Sequence, residues 1–90
     1  MQIKEKYQHK YVAQLIKSKR ELNEISQSQL STTLGYKNGQ FISNVERGIC
    51  ALPIKHHVGV CTFLDIEPGE LKAATVADFE EQYEHKIAHS

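Results

Sequence analysis

Ser26-Gln27-Ser28-Gln29-Leu30-Ser31-Thr32-Thr33-Leu34-Gly35-Tyr36, followed after a four-residue gap by Phe41-Ile42-Ser43-Asn44-Val45-Glu46-Arg47-Gly48, is the stretch on which the fold turns. Ser26 reads as an N-cap, because its hydroxyl can accept from the free amides of Ser28 and Gln29. Gln29, at the third helical position, completes a capping-box pattern. A short helix over Gln27–Leu34 follows, burying Leu30 and Leu34. Gly35 ends it, since a helix commonly stops on a left-handed residue that glycine adopts cheaply. Tyr36-Lys37-Asn38-Gly39 is a turn. The next helix runs over Gly39–Glu46, burying Phe41, Ile42 and Val45 in part, and Arg47-Gly48 stops it. Two short helices joined by a tight turn form a helix-turn-helix, here over about residues 26–48. Leu30, Leu34, Ile42 and Val45 hold the two helices at a fixed angle, and Ser31 is small where they approach. Glu46 and Arg47 offer an ion pair or a cap.

Working outward, Tyr11, Val12, Leu15, Ile16 and Leu22 recur at helical spacing, which predicts a first helix over Glu5–Asn23. Its polar face carries Lys10, Lys17, Lys19 and Arg20. Pro53 suits the first turn of a fourth helix reaching Leu64, with Ile54, Val58, Cys61 and Leu64 inward. Pro68 opens a short fifth helix through Leu71 and Lys72. Thr75 caps a last one, with Asp78 three residues on near the positive helix end. No segment alternates as a strand would. The expectation is an all-α chain: a five-helix domain over 1–74 and an additional C-terminal helix over 75–90.

The bulk numbers fit one compact domain. Ninety residues with 40% hydrophobic and 24% charged side chains are ordinary for a globular protein. No apolar run approaches the roughly 20 residues of a membrane span, and the opening Met1–Lys6 is too polar for a signal peptide, so the expected compartment is the cytoplasm. Two cysteines, Cys50 and Cys61, make no disulfide framework. With His56-His57 between them they form C-x5-H-H-x3-C, which fits no common zinc pattern, and they read as core cysteines and helix-surface histidines. Net charge is zero but uneven: residues 1–50 hold eight Lys or Arg against four Glu, and residues 51–90 hold three Lys against seven Asp or Glu. A basic half suits a polyanion, and an acidic half faces away from it.

The quoted stretch resembles the lambda-repressor and Cro-like helix-turn-helix family, also called the XRE family. The likeness rests on Ser26-Gln27-x-x-Leu30-Ser31-x-x-x-Gly35, then Ile42-Ser43-x-x-Glu46-x-Gly48, and on Leu64-Asp65-Ile66-Glu67-Pro68-Gly69-Glu70-Leu71 further on. It covers about residues 8 to 72. Ser31 stands where that family usually has Ala, Asp65 where Gly or Asn is common, and one residue is added between Gly35 and Ile42. The resemblance implies a third helix lying in the major groove of double-stranded DNA, its N-terminal residues at base edges. Gln40, Ser43 and Asn44, with Asn38 before them, would contact bases; Gln and Asn can bond adenine through two hydrogen bonds. Gln27, Lys37 and Arg47, and more distantly Lys19 and Arg20, would contact phosphates, which position a protein without reading sequence. Beside these stand plainer readings: solvated helix residues for Gln40, Ser43 and Asn44, a core aromatic for Phe41, and a surface turn lysine for Lys37.

In the C-terminal helix Val76, Phe79, Tyr83 and Ile87 are spaced by three, four and four, forming one apolar face. That face can pack on the first helix or on a second copy. The expectation is a homodimer, which presents two recognition helices to half-sites roughly 34 Å apart. The function that follows is a transcriptional repressor at a palindromic operator. Alternatives are an antitoxin whose acidic half masks a toxin, and a protein-interaction module without DNA binding. No nucleophile, base and orienter are suggested by spacing and no phosphate loop occurs, so no enzyme, cofactor or metal is implied.

Overall fold

The computed structural model describes residues 8–88. They form five α-helices: α1 Lys10–Leu22, α2 Gln27–Thr33, α3 Gln40–Glu46, α4 His57–Leu64 and α5 Pro68–Ala88, with a 3-10 turn Ile54–His56 before α4. Among the described residues there is no strand, and no helix is long and apolar enough to cross a membrane. Val12 and Ile16 of α1, Leu30 of α2, Ile42 and Val45 of α3, Leu52, Val60 and Leu64, Ile66, and Leu71 of α5 make one buried core.

The helix-turn-helix forms for the local reasons its sequence gives. Gln29 N donates to Ser26 Oγ at 3.0 Å and Ser26 N to Gln29 Oε1 at 2.7 Å, so the capping box is complete. Gly35 takes φ +100 just beyond α2, and Gly48 takes φ +76 just beyond α3. Gly39 has a different task. A Cβ there would sit 3.2 Å from both the amide and the hydroxyl oxygen of Ser28, so the missing side chain lets the start of α3 lie against the start of α2. Ser31 is fully buried, as expected of the small residue where the helices meet.

Elsewhere the structure corrects the expectations. The first helix begins at Lys10 rather than Glu5: Gln8 and His9 are not helical, and Glu5–Tyr7 lie outside the described residues. His9 has extended backbone, and its amide donates to the Gly48 carbonyl at 3.0 Å. The stripe of α1 is also narrower, with Leu22 75% exposed at the helix end. In the fourth helix Val60 and Leu64 point inward, whereas Ile54 and Val58 are 80% and 78% exposed. The physical reason is helical phase: Val60 and Leu64, four residues apart, share a face of α4, whereas Val58, six residues from Leu64, turns away from it, and Ile54 lies before α4 in the 3-10 turn.

The fifth and last helices are one, unbroken from Pro68 to Ala88, so no helix ends or begins between residues 74 and 75. Lys72-Ala73-Ala74 are good helix formers, and Thr75 stays inside by donating its hydroxyl to the Leu71 carbonyl at 2.8 Å. Asp78 therefore caps no helix of its own. Its buried carboxylate accepts from the amides of Tyr11 and Val12, at 3.0 and 2.9 Å, and so caps α1 from 67 and 66 residues away. Beside it the Tyr11 hydroxyl donates to Glu81, and Lys10 pairs with Glu81 at 3.1 Å. Hence α5 docks on α1 through carboxylates at the positive end of that helix. Asp65, the departure noted before α5, lies in the left-handed region with φ 56, a conformation aspartate tolerates better than most side chains.

Candidate nucleic-acid interface

Three helices are pinned by one buried ion pair. Arg20 of α1 donates to both oxygens of Glu46 of α3, at 2.6 and 3.0 Å, and to the Ile25 carbonyl at 2.9 Å. Gln27 of α2 donates to Glu46 Oε1 at 3.0 Å. The Arg20 and Glu46 side chains are 12% and 3% exposed. The hydrogen bond to Glu46 holds the Arg20 guanidinium above its ordinary range, against the opposing effect of burial. Thus neither Glu46 with Arg47 nor Arg20 with solvent is the arrangement found. Arg20, expected at a phosphate, is enclosed in protein, and Lys19 faces Glu70 of α5 at 3.9 Å. Gln27 is half-buried, its side-chain amide committed to Glu46.

What this pin holds is the outward face of α3. Ile42 and Val45 are fully buried, so the 100° step per residue turns Gln40, Ser43, Asn44 and Arg47 the other way. Asn38 precedes them, and its Oδ1 accepts from the Gln40 amide at 2.9 Å, which satisfies a free donor at the start of α3. Gln40 Nε2 donates to Asn44 Oδ1 at 2.9 Å across one helical turn. The pair is thereby fixed, and it leaves the Gln40 side-chain oxygen as an acceptor and the Asn44 side-chain nitrogen as a donor. Asn38 and Gln40 are exposed; Ser43 and Asn44 are half-exposed. Lys37 and Arg47 flank the row, exposed and without an ion pair among the described residues. Asn38, Gln40, Ser43, Asn44, Lys37 and Arg47 are therefore brought to one surface, while Arg20 and Lys19 are not.

An aromatic cluster props the turn, and sequence reasoning missed it. Tyr36 stacks on Phe41 with ring centroids 4.1 Å apart and planes 10° from parallel. His56, from the 3-10 turn, meets both rings edge-on, and its Nε2 lies 2.9 Å from the Tyr36 hydroxyl. His56 is thus half-buried rather than a plain surface histidine. The one sequence signal was two aromatics, Tyr36 and Phe41, bracketing a polar turn. Both cysteines are free, and burial pushes both thiols above their ordinary range.

On α5, Val76, Phe79, Tyr83 and Ile87 are 44, 65, 60 and 59% exposed. The face in contact with α1 is instead the one bearing Asp78 and Glu81. Comparison with protein-family models, with curated proteins and with solved structures finds no match for this chain.

Proposed function

We propose that this protein is a sequence-specific DNA-binding regulator of the lambda-repressor and Cro-like kind, a cytoplasmic homodimer that represses by occupying a palindromic operator. The observation that supports it is the polar row Asn38, Gln40, Ser43 and Asn44 on the outer face of α3, a helix whose other face is fully buried and pinned through Glu46. A rod held that way can enter the major groove without reorganising. The free acceptor of Gln40 and the free donor of Asn44 complement the amino group and N7 of adenine. Lys37 and Arg47 sit at either end of the row, where the two phosphate backbones pass. Gln27 then serves by holding Glu46, and Arg20 by neutralising it, rather than by touching DNA.

Selection of bound sequences from random duplex DNA tests the reading. A two-fold symmetric site with adenine-containing half-sites is expected. Asn44→Ala relaxes preference at one position, losing about 1–3 kcal/mol of discrimination against the wrong base. Lys37→Ala and Arg47→Ala each weaken binding to all sequences alike and reduce the salt slope by about one. Absence of salt-dependent binding to any duplex would refute it.

A further inference from the structure

Two hollows beside α5 together make a trough, walled by α1 and the loop before α4 at one end and by α4 at the other. One hollow of about 280 Å³ is lined by Leu52, Pro53, Ile54, Thr75 and Phe79 among others. A second, of about 230 Å³, is lined by Val58, Cys61, Pro68 and Leu71 with two neighbours. Pro68, Leu71, Thr75 and Phe79 follow one another at spacings of three, four and four, so the two hollows lie along one face of α5, with Ile54 and Val58 on the opposite wall. We propose that this trough seats the Val76–Phe79–Tyr83 stripe of a second copy, so that each α5 lies in the other's groove rather than on the other's stripe. The proposal rests on the homodimer suggested above and specifies its interface.

Three observations favour that occupant. First, the stripe has the spacing i, i+3, i+7 with which an amphipathic helix anchors in an apolar groove. Second, Ile54, Val58, Val76, Phe79 and Tyr83 are 80, 78, 44, 65 and 60% exposed. Together they show roughly 700 Å², close to the ~800 Å² that each partner contributes to a standard interface. Third, the charges select the arrangement. Glu80 and Glu84, both exposed, flank the stripe on one side. An antiparallel two-fold pairing of stripe on stripe sets that acidic flank against itself, which is repulsive. The trough instead offers Lys55, exposed beside Ile54, to the same glutamates.

The test is the mass of the full chain by size exclusion with light scattering, in the absence of DNA. The native chain is expected at twice 10.3 kDa. Ile54→Lys and Tyr83→Glu should each raise the dimer dissociation constant at least about a hundredfold, because each buries an unpaired charge twice over. Mixed in equal amounts, the two variants should recover to within about tenfold of native, since a mixed dimer has one native half and one Lys–Glu half. If Ile54→Lys does not fold by circular dichroism, Val58→Lys on the same wall replaces it. A native chain that stays monomeric, an Ile54→Lys chain as dimeric as native, or a mixture that does not recover would each overturn the proposal. Asn44→Ala and Arg47→Ala leave the mass unchanged, so loss of DNA binding and loss of the dimer are separable results.

Discussion

The α2–α3 region and the α5 region solve the problem of exposed surface in opposite ways. In α2–α3 the start of each helix is satisfied close at hand, by Ser26 with Gln29 and by Asn38 with Gln40, and the Gln40 side chain is held by Asn44. Its outer face is polar, and its apolar side chains Leu30, Ile42 and Val45 are fully enclosed. In α5 two carboxylates, Asp78 and Glu81, dock on α1, while Val76, Phe79 and Tyr83 face out. The first pattern leaves hydrogen-bonding edges for a polar ligand, and the second leaves apolar area for another protein surface. Both depend on a buried carboxylate: Glu46 behind α3 and Asp78 beneath α5.

Removing the first carboxylate should have the largest effect. Glu46→Ala strands the Arg20 guanidinium in a site where its side chain is 12% exposed and leaves Gln27 Nε2 without its acceptor. Loss of one partner from a buried ion pair costs about 3–5 kcal/mol. Urea unfolding should show that loss, with DNA binding falling as α3 loosens. A change under about 1 kcal/mol would mean that the pin contributes little to the difference between the two regions.

Asp78→Ala is the matching test on the other side. It removes the acceptor for two amides in the first turn of α1, a loss of about 1–3 kcal/mol. Amide hydrogen exchange should rise at Tyr11 and Val12 and along α5, while Ile42 and Val45 stay protected. Equal loss of protection in α3 would show that the two regions unfold as one unit, which would collapse the contrast.

These two carboxylates also mark where the sequence was legible. The capping box, the turn at Gly35 and the buried pattern of α2 and α3 could be read because their partners lie within four residues. Glu46 could not be assigned its partner, since Arg20 is 26 residues away and only the packing of α1 on α3 brings them together. Asp78 was legible as a carboxylate near the positive end of a helix, but of a helix begun at Thr75 rather than of α1. The inward set of α4 was misread because Pro53 opens a 3-10 turn that holds Ile54 outside α4, and within α4 the buried face is the Val60–Leu64 one, which Val58 does not share. His56 looked like a surface residue until Tyr36 and Phe41 folded onto it. The outer face of α3 was legible because Ile42 and Val45 fix which way it turns; which cations belong with it was not, because Arg20 and Lys19 depend on long-range neighbours.

Ser31→Ala should act in the opposite direction. The Ser31 hydroxyl oxygen is buried without a hydrogen-bond partner among the described residues, a cost that alanine avoids with almost the same shape. A gain of about 1 kcal/mol in urea unfolding is expected, with the α2–α3 surface and its DNA preference unchanged. A loss of stability would mean that the hydroxyl is satisfied in solution, as by an enclosed water.

The smallest effect is the pH dependence of the α1–α5 contact at Glu81. Hydrogen bonds from Tyr11 and then Lys10 lower the Glu81 carboxyl from its ordinary value, and the same bonds to Glu81 raise Tyr11 and Lys10. A lowered acid stabilises the folded chain above its unfolded pKa and loses that contribution as pH falls through the folded one. Raised Tyr and Lys values stabilise below their unfolded pKa and lose the contribution as pH rises through the folded ones. The contact is therefore at full strength between about pH 5 and about pH 9, and weakens on both sides. NMR shifts of the Lys10 and Tyr11 amides should report both limbs. Glu81→Gln should flatten them while leaving the Asp78 cap, the pin at Glu46 and the outer face of α3 as they are. The three groups are solvent-accessible, so salt should shrink both limbs. Limbs of undiminished size in Glu81→Gln would show that the α1–α5 contact does not depend on the Glu81 charge.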